Sequence, residues 1–181
     1  MTETMQPPPY TLEPDDKVAK VMAYTASTVL MGEVVVKELI RVSTWLRTNS
    51  APDWIALYNA RVMQTCLSSP PRPEQFKELN VAVSQILGFH LVPPAHDPPD
   101  YDPTEPNRRM LPVTVLLGTF RIQGHIRVAA QTSLRKYVDV TRETYTSIYD
   151  AKISNIAVPA LGVMSVPFLL VRQENVSFAL C

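Results

Sequence analysis

The chain repeats itself, and that limits what it can fold into more than any other feature. Residues 28–42 (TVLMGEVVVKELIRV) align without a gap on residues 114–128 (TVLLGTFRIQGHIRV), with seven of the 15 positions identical. Met31/Leu117, Val34/Phe120 and Val36/Ile122 stay apolar in both. Further along, residues 57–62 (LYNARV) match 148–153 (IYDAKI). Val83-Ser84-Gln85 then matches Val171-Arg172-Gln173, and Phe89-His90-Leu91 matches Phe178-Ala179-Leu180. The matches keep their order. Two copies of so long a period point to duplication of a small domain, since a solenoid needs at least about three units.

Proline marks the borders between the copies. Of the 17 prolines, 13 fall in three places: 7–14, 70–73 and 93–106. A proline has no backbone donor and disfavours helix at the residue before it, so such stretches stay out of sheet and helix interiors. Charge follows the same borders. The chain holds 17 basic and 17 acidic residues, but the acidic ones concentrate in 1–17 and 95–106, leaving a mildly basic body. These patterns predict a disordered acidic arm over 1–17, a first unit over 18–92, a flexible acidic linker over 93–107 and a second unit over 108–181. The Pro70–Pro73 stretch reads as a loop.

Each unit carries the same coarse pattern. Residues 24–38 and 112–124 are rich in Val, Ile, Thr and Leu around a glycine and read as strands, with Gly32 and Gly118 as bulges or close backbone approaches. Residues 42–48 and 128–138 are helix candidates, and Ser43 is placed to cap the first. Residues 54–65 and 144–156 return as strands. Residues 79–92 and 163–180 supply a last strand or hairpin, with Gln173-Glu174-Asn175 as a turn. The predicted class is mostly β (α+β): two similar strand–short helix–strand–strand units. A lone unit of about 70 residues has a marginal core, so the two are expected to pack face to face as a pseudo-dimer.

Part of the first unit resembles a small uncharacterised bacterial domain family. The carrying residues are Gly32 in a strand, the helix start Arg41-Val42-Ser43-Thr44-Trp45-Leu46-Arg47-Thr48, and Ile55-Ala-Leu-Tyr-Asn-Ala-Arg-Val62. In that family a strand with glycine leads to an Arg-Leu-Ser-Asp-x-Leu-Asn helix start and a Leu-Thr-Asp-Ala-x-Val strand. The resemblance implies a fold and brings no activity. In the second unit only Arg127-Val128 of the helix motif survives, with Ala129 where Ser43 stands.

Chemistry is sparse. No Gly-x-Ser-x-Gly or phosphate-binding glycine loop is present. His90, His96 and His125 are dispersed, and Cys66 and Cys181 are far apart, so no zinc or other metal pattern forms and no cofactor is expected. His90 is expected at solvent or a strand edge, and His125 in a turn. The linker cluster of His96, Asp97, Asp100 and Asp102 lacks ordered ligand spacing. Lys and Arg are too scattered for a nucleic-acid reader. Arg41 and Arg127 stand at equivalent positions in the repeat, each before a candidate helix. With Arg109 they are the candidate contacts for a small anion, against the plainer reading of internal ion pairs.

The near-apolar run 156–171 is the leading candidate for a partner surface, with Val163, Phe168 and Leu169 as its contacts; the plainer alternative buries it between the units. Tyr10 and Leu12 in the arm are the complementary docking residues. The N-terminus lacks the basic, then apolar, pattern of a signal peptide, and no run reaches the roughly 20 apolar residues of a spanning helix. The expectation is a cytoplasmic, non-enzymatic interaction or assembly protein that takes a protein partner or self-associates, with surface contact to a membrane left open. The alternative is a regulatory module binding a small anion between the units.

Overall fold

A computed structural model describes residues 8–65 and 72–180. Cys66, Pro70, Pro71 and Cys181, each singled out above, lie outside the described residues, as do residues 1–7 of the arm. The first half runs β1 (Asp16–Tyr24), β2 (Thr28–Lys37), a 3-10 helix (Val42–Arg47), β3 (Trp54–Gln64), β4 (Glu74–Ala82), a 3-10 turn (Val83–Gln85) and β5 (Gly88–Leu91). The second runs β6 (Arg108–Leu117), β7 (Phe120–Ala129), α1 (Leu134–Val140), β8 (Tyr145–Asn155), β9 (Val163–Arg172), a 3-10 turn (Gln173–Asn175) and β10 (Ser177–Ala179). The class is mostly β, as expected. All strands join one antiparallel sheet in the order β10-β6-β7-β8-β9-β5-β1-β2-β3-β4.

Within each half the fifth strand pairs with the first, and the rest follow in sequence. The halves meet edge to edge: β5 pairs with β9 through Gly88↔Val171 and Phe89↔Leu170, and the Arg172 N–H donates to the Leu87 carbonyl at 2.8 Å. Side chains also cross this joint. On β1, Val21 and Ala23 enter the core of the first half, while Met22 and Tyr24 enter the core of the second. In return Tyr145 and Leu170 enter the first. Strands at the joint are therefore buried on both faces and lose the in/out alternation of a half-exposed strand.

That loss explains why β1 is absent from the sequence reading. Val21–Tyr24 is a continuous buried run preceded by Lys17 and Lys20, with no period of two. The strands expected over 24–38 and 112–124 are each parts of a hairpin, β1–β2 and β6–β7. The helix expected over 128–138 starts at Leu134, where Ser133 caps it by accepting from the Lys136 N–H at 3.3 Å.

The second correction concerns which glycines correspond. Gly32 sits in a β-bulge between β2 and β3, and the matching bulge between β7 and β8 holds Gly124. Opposite each bulge stands a residue in the left-handed region, Asn59 at φ 49° and Asp150 at φ 50°. Both are side chains that tolerate that conformation. A Cβ on Gly32 would meet the Tyr58 carbonyl and Leu57; on Gly124 it would meet the Tyr149 carbonyl and Ile148. Gly118 instead turns the β6–β7 hairpin at φ 55° against the Ala26 carbonyl. Gly118 and Gly124 are an even number of residues apart, so the sliding alignment of 28–42 on 114–128 preserves strand alternation while misplacing the register.

Candidate functional site

The described parts of the acidic, proline-rich segments, residues 8–17 and 93–107, are docked. Asp16 already belongs to β1, and residues 8–15 lie on the first half. Tyr10 packs on Tyr58 with ring centroids 5.0 Å apart, and its hydroxyl donates to Glu33 at 3.1 Å. Lys37 pairs with Glu13, Asp15 and Asp16. This is the one carboxylate cluster with metal-like spacing among the described residues, and an ammonium already holds it. Leu12 is half exposed.

The linker 93–107 repeats this arrangement on the second half. Tyr101 stands edge-on to Tyr149 at 5.1 Å, the counterpart of Tyr10 on Tyr58. Each half therefore begins with a Pro-Pro-x-Tyr leader, Pro7-Pro8-Pro9-Tyr10 and Pro98-Pro99-Asp100-Tyr101, followed shortly by Glu-Pro. This signal was present in the sequence but hidden under the reading of both stretches as flexible.

Asp100 is the centre of the linker's attachment. Its side chain is 7% exposed, pairs with Arg47 at 2.9 Å and accepts from the Tyr149 hydroxyl at 2.8 Å. Burial, with the Asp100 carboxylate next in weight, raises the Tyr149 phenol well above its ordinary range. Ser147 donates to the same carboxylate more weakly and accepts from Arg47 at 2.6 Å. Arg47 belongs to the first half, while Ser147 and Tyr149 belong to the second. One carboxylate thus ties the two together. Asp97 accepts from the Ser43 backbone N–H at 2.9 Å, so the linker, not the Ser43 hydroxyl, caps the 3-10 helix.

The three arginines proposed for an anion do not converge. Arg41 precedes its helix as expected and donates to the Pro99 carbonyl. Arg127 lies inside β7 opposite Met110, ahead of α1, and is not the counterpart of Arg41. It pairs with Glu105 at 2.9 Å, donates to the Asp102 carbonyl and covers the Tyr101 ring at 4.6 Å. Arg109 donates to the Ala130 and Thr132 carbonyls. A 260 Å³ cavity between linker and second half is lined by Arg47, Arg108 and Arg127, with Asp100 and Glu143 as the opposing carboxylates. Glu105 lies beside it, paired with Arg108 and Arg127.

The run 156–171 divides. Ile156 and Val163 are exposed, while Leu169, Leu170 and Val171 are fully buried because β9 lies between β8 and β5. Leu169 therefore leaves the list of partner contacts, and Phe168 is half-buried against Tyr149. His90 is a correction as well. It is fully buried: Nδ1–H donates to the Leu91 carbonyl at 2.7 Å, and Nε2 accepts from the Tyr24 hydroxyl at 2.9 Å. Burial lowers its pKa to about 4, so the ring is neutral. His125 lies within β7, not in a turn.

Another opening lies on the first half and reaches Asn175 of the second. A groove of 640 Å³ runs along β4 and the β1–β2 turn, lined by Thr28, Leu30, Val62, Phe76, Leu79, Val81 and Leu87 among others. Among the described residues, no strand pairs with the outer edge of β4. Trp54 and Phe76 stand exposed at this end. No sequence pattern marked this surface, because its apolar residues come from strands far apart in the chain. Among the described residues, no helix is long and apolar enough to cross a membrane. No family model, curated protein or solved structure matches the chain.

Proposed function

We propose that this chain is a non-enzymatic interaction or assembly subunit, built from a duplicated small β unit and engaging its partner through the open end of the first half. One observation carries the reading: a 640 Å³ groove of mixed lining, with Leu30, Val62, Phe76, Leu79 and Val81 among its apolar residues, beside a strand edge that no described strand covers, with Trp54 and Phe76 exposed nearby. An exposed backbone edge offers hydrogen bonds to an added strand, and an adjoining apolar groove supplies the burial that makes such an addition favourable. The titratable groups point the same way. Arg47, Asp100, Glu105 and Arg127 are engaged in holding the linker, and His90 is neutral and sealed in the core.

The experiment compares the wild-type chain with a Trp54→Asp/Phe76→Asp variant, using light scattering for self-association and immobilised chain for a separate protein. The reading predicts association that the variant loses while its unfolding transition stays cooperative. A wild-type chain that stays monomeric and retains no protein the variant fails to retain would contradict it.

A second reading has the polar cavity as its support. Arg47, Arg108 and Arg127 line one 260 Å³ space, which a small anion would enter by displacing carboxylates of the linker. Stabilisation by phosphate or nucleotides, lost in Arg127→Gln, is the expected sign; unchanged melting with all of them ends this reading.

A further inference from the structure

The joint inside the chain is a template for a joint between chains. In the sheet order, β5 and β9 meet at the centre, while β10 and β4 stand at the ends. β10 holds the place in the second half that β5 holds in the first, and β4 holds the place of β9. The two strands that meet inside the molecule therefore have counterparts at its two ends whose outer edges pair with no strand among the described residues. We infer that a second copy of this chain is the occupant of the open groove, its β10 adding to β4 head to tail. This rests on the assembly reading above and names its partner.

The residues that fill the internal joint support the inference. Tyr24 and Tyr145 are buried there, at 3% and 1% exposure, and Val166 is buried at 3% in the second half's core, which Met22, Tyr24 and Val29 of the first half help to complete. Their positions in the strand registers identify their counterparts. Tyr24 lies opposite Val29 and Gly88; Leu116 lies opposite Arg121 and Ser177. Tyr145 opens β8 opposite Arg172; Trp54 opens β3 opposite Ala82. Val166 lies opposite Ala151; Phe76 lies opposite Ala60. Leu116, Trp54 and Phe76 are 45%, 62% and 39% exposed. Large apolar residues thus stand exposed where their counterparts are buried in cores to which both halves contribute.

The receiving surface matches too. Tyr24 packs edge-on to Phe120 at 4.9 Å across the internal joint. Phe120 lies opposite Asn155 as Thr28 lies opposite Gln64, and Thr28 lines the open groove. Leu116 of a second copy would enter beside Thr28. The internal register, Gly88↔Val171 and Phe89↔Leu170, carries over to Ser177 opposite Val81 and Phe178 opposite Asn80.

The substitution of Asn80 for Leu170 and of Arg121 for Val29 means that the joint between chains buries less apolar surface than the one within. It is therefore the reversible one. Because two different surfaces meet, the contact is heterologous and extends into a closed ring or an open filament, not a twofold dimer.

Two single variants of the full chain test the inference. Phe76→Asp spoils the β4 end and leaves β10 free; Leu116→Asp spoils the β10 end and leaves β4 free. Both positions are substantially exposed, and matching thermal unfolding curves establish that both fold. Head-to-tail association predicts that the wild type forms assemblies larger than a dimer. Each variant alone is then a monomer, and their mixture forms one discrete dimer through the two intact ends. Phe178→Pro, which removes the edge donor of β10, should repeat the behaviour of Leu116→Asp. Three outcomes overturn the inference: dimers of Leu116→Asp alone, no dimer in the mixture, or a monomeric wild type. If a separate protein is still captured and lost with Phe76→Asp, the assembly reading stands and only its partner is wrong.

Discussion

Two single residues expose how tightly the bulges are built. An added methyl at Gly124 would lie 2.7 Å from Ile148 Cγ2 and 2.8 Å from the Tyr149 carbonyl. The backbone oxygen cannot turn aside as a flexible side chain can. At Gly32 the nearest atoms are the Tyr58 carbonyl at 3.0 Å and Leu57 Cβ at 3.1 Å, which is tight but less severe. Overpacking of this kind costs about 1–3 kcal/mol, so Gly124→Ala should destabilise the chain by about 2–3 kcal/mol in urea unfolding and Gly32→Ala by less. Equal and negligible losses would mean that the bulges yield. His90 gives a pH signature. Its pKa falls from 6.5 to about 4 on folding, so between those values the unfolded chain binds more protons. Stability therefore declines as pH falls through that window. From pH 7.5 to pH 5.5 the linkage amounts to about 1.4 kcal/mol, and His90→Gln should remove that part of the slope.

At the scale of elements, the linker is the finding least expected from the sequence. Its prolines and acidic residues exclude it from the sheet, as reasoned, but they do not make it mobile. Asp97, Asp100, Tyr101 and Glu105 each have a partner on the folded halves. Proline lowers the entropy lost when such a segment docks, and composition cannot distinguish docked from free. Removing one partner of a buried ion pair costs about 3–5 kcal/mol. With Arg47 27% exposed, Asp100→Ala should fall at the lower end, near 3 kcal/mol, and should increase proteolysis within 93–107. A loss below about 1 kcal/mol would show the linker to be dispensable. Salt should act mainly on the half-exposed Glu105 pairs with Arg108 and Arg127 and little on Asp100. Strands with an exposed face were legible because they alternate, as in β3. The β1 strand was not, because the joint buries both of its faces.

For the whole molecule, the order of the matching segments was legible, while their pairing was not. Identity between the halves is highest along strands whose alternation survives any even slip, so the best sequence match set Gly118 against Gly32 and Arg127 against Arg41. The bulges, which need a glycine facing a left-handed Asn or Asp, restore the register. The candidate surface was illegible for a related reason. Trp54, Phe76 and Leu116 become meaningful only when the sheet order shows which neighbours their counterparts have and they lack. Neutral net charge, 17 against 17, resolves into acidic leaders lying on basic residues of the halves they precede, Lys37 in one and Arg108 and Arg127 in the other.

The same sheet order fixes where a cross-link between two chains would form. Directly opposed residues on antiparallel strands have Cα atoms about 4.5–5.5 Å apart, within the range a disulfide spans. In a background with Cys66 and Cys181 changed to serine, Val81→Cys chains are mixed with Ser177→Cys chains under mild oxidation. Head-to-tail addition of β10 to β4 predicts a disulfide between unlike chains in the mixture and none in either variant alone. A disulfide-linked dimer of Val81→Cys by itself, or no cross-link in the mixture, would contradict it.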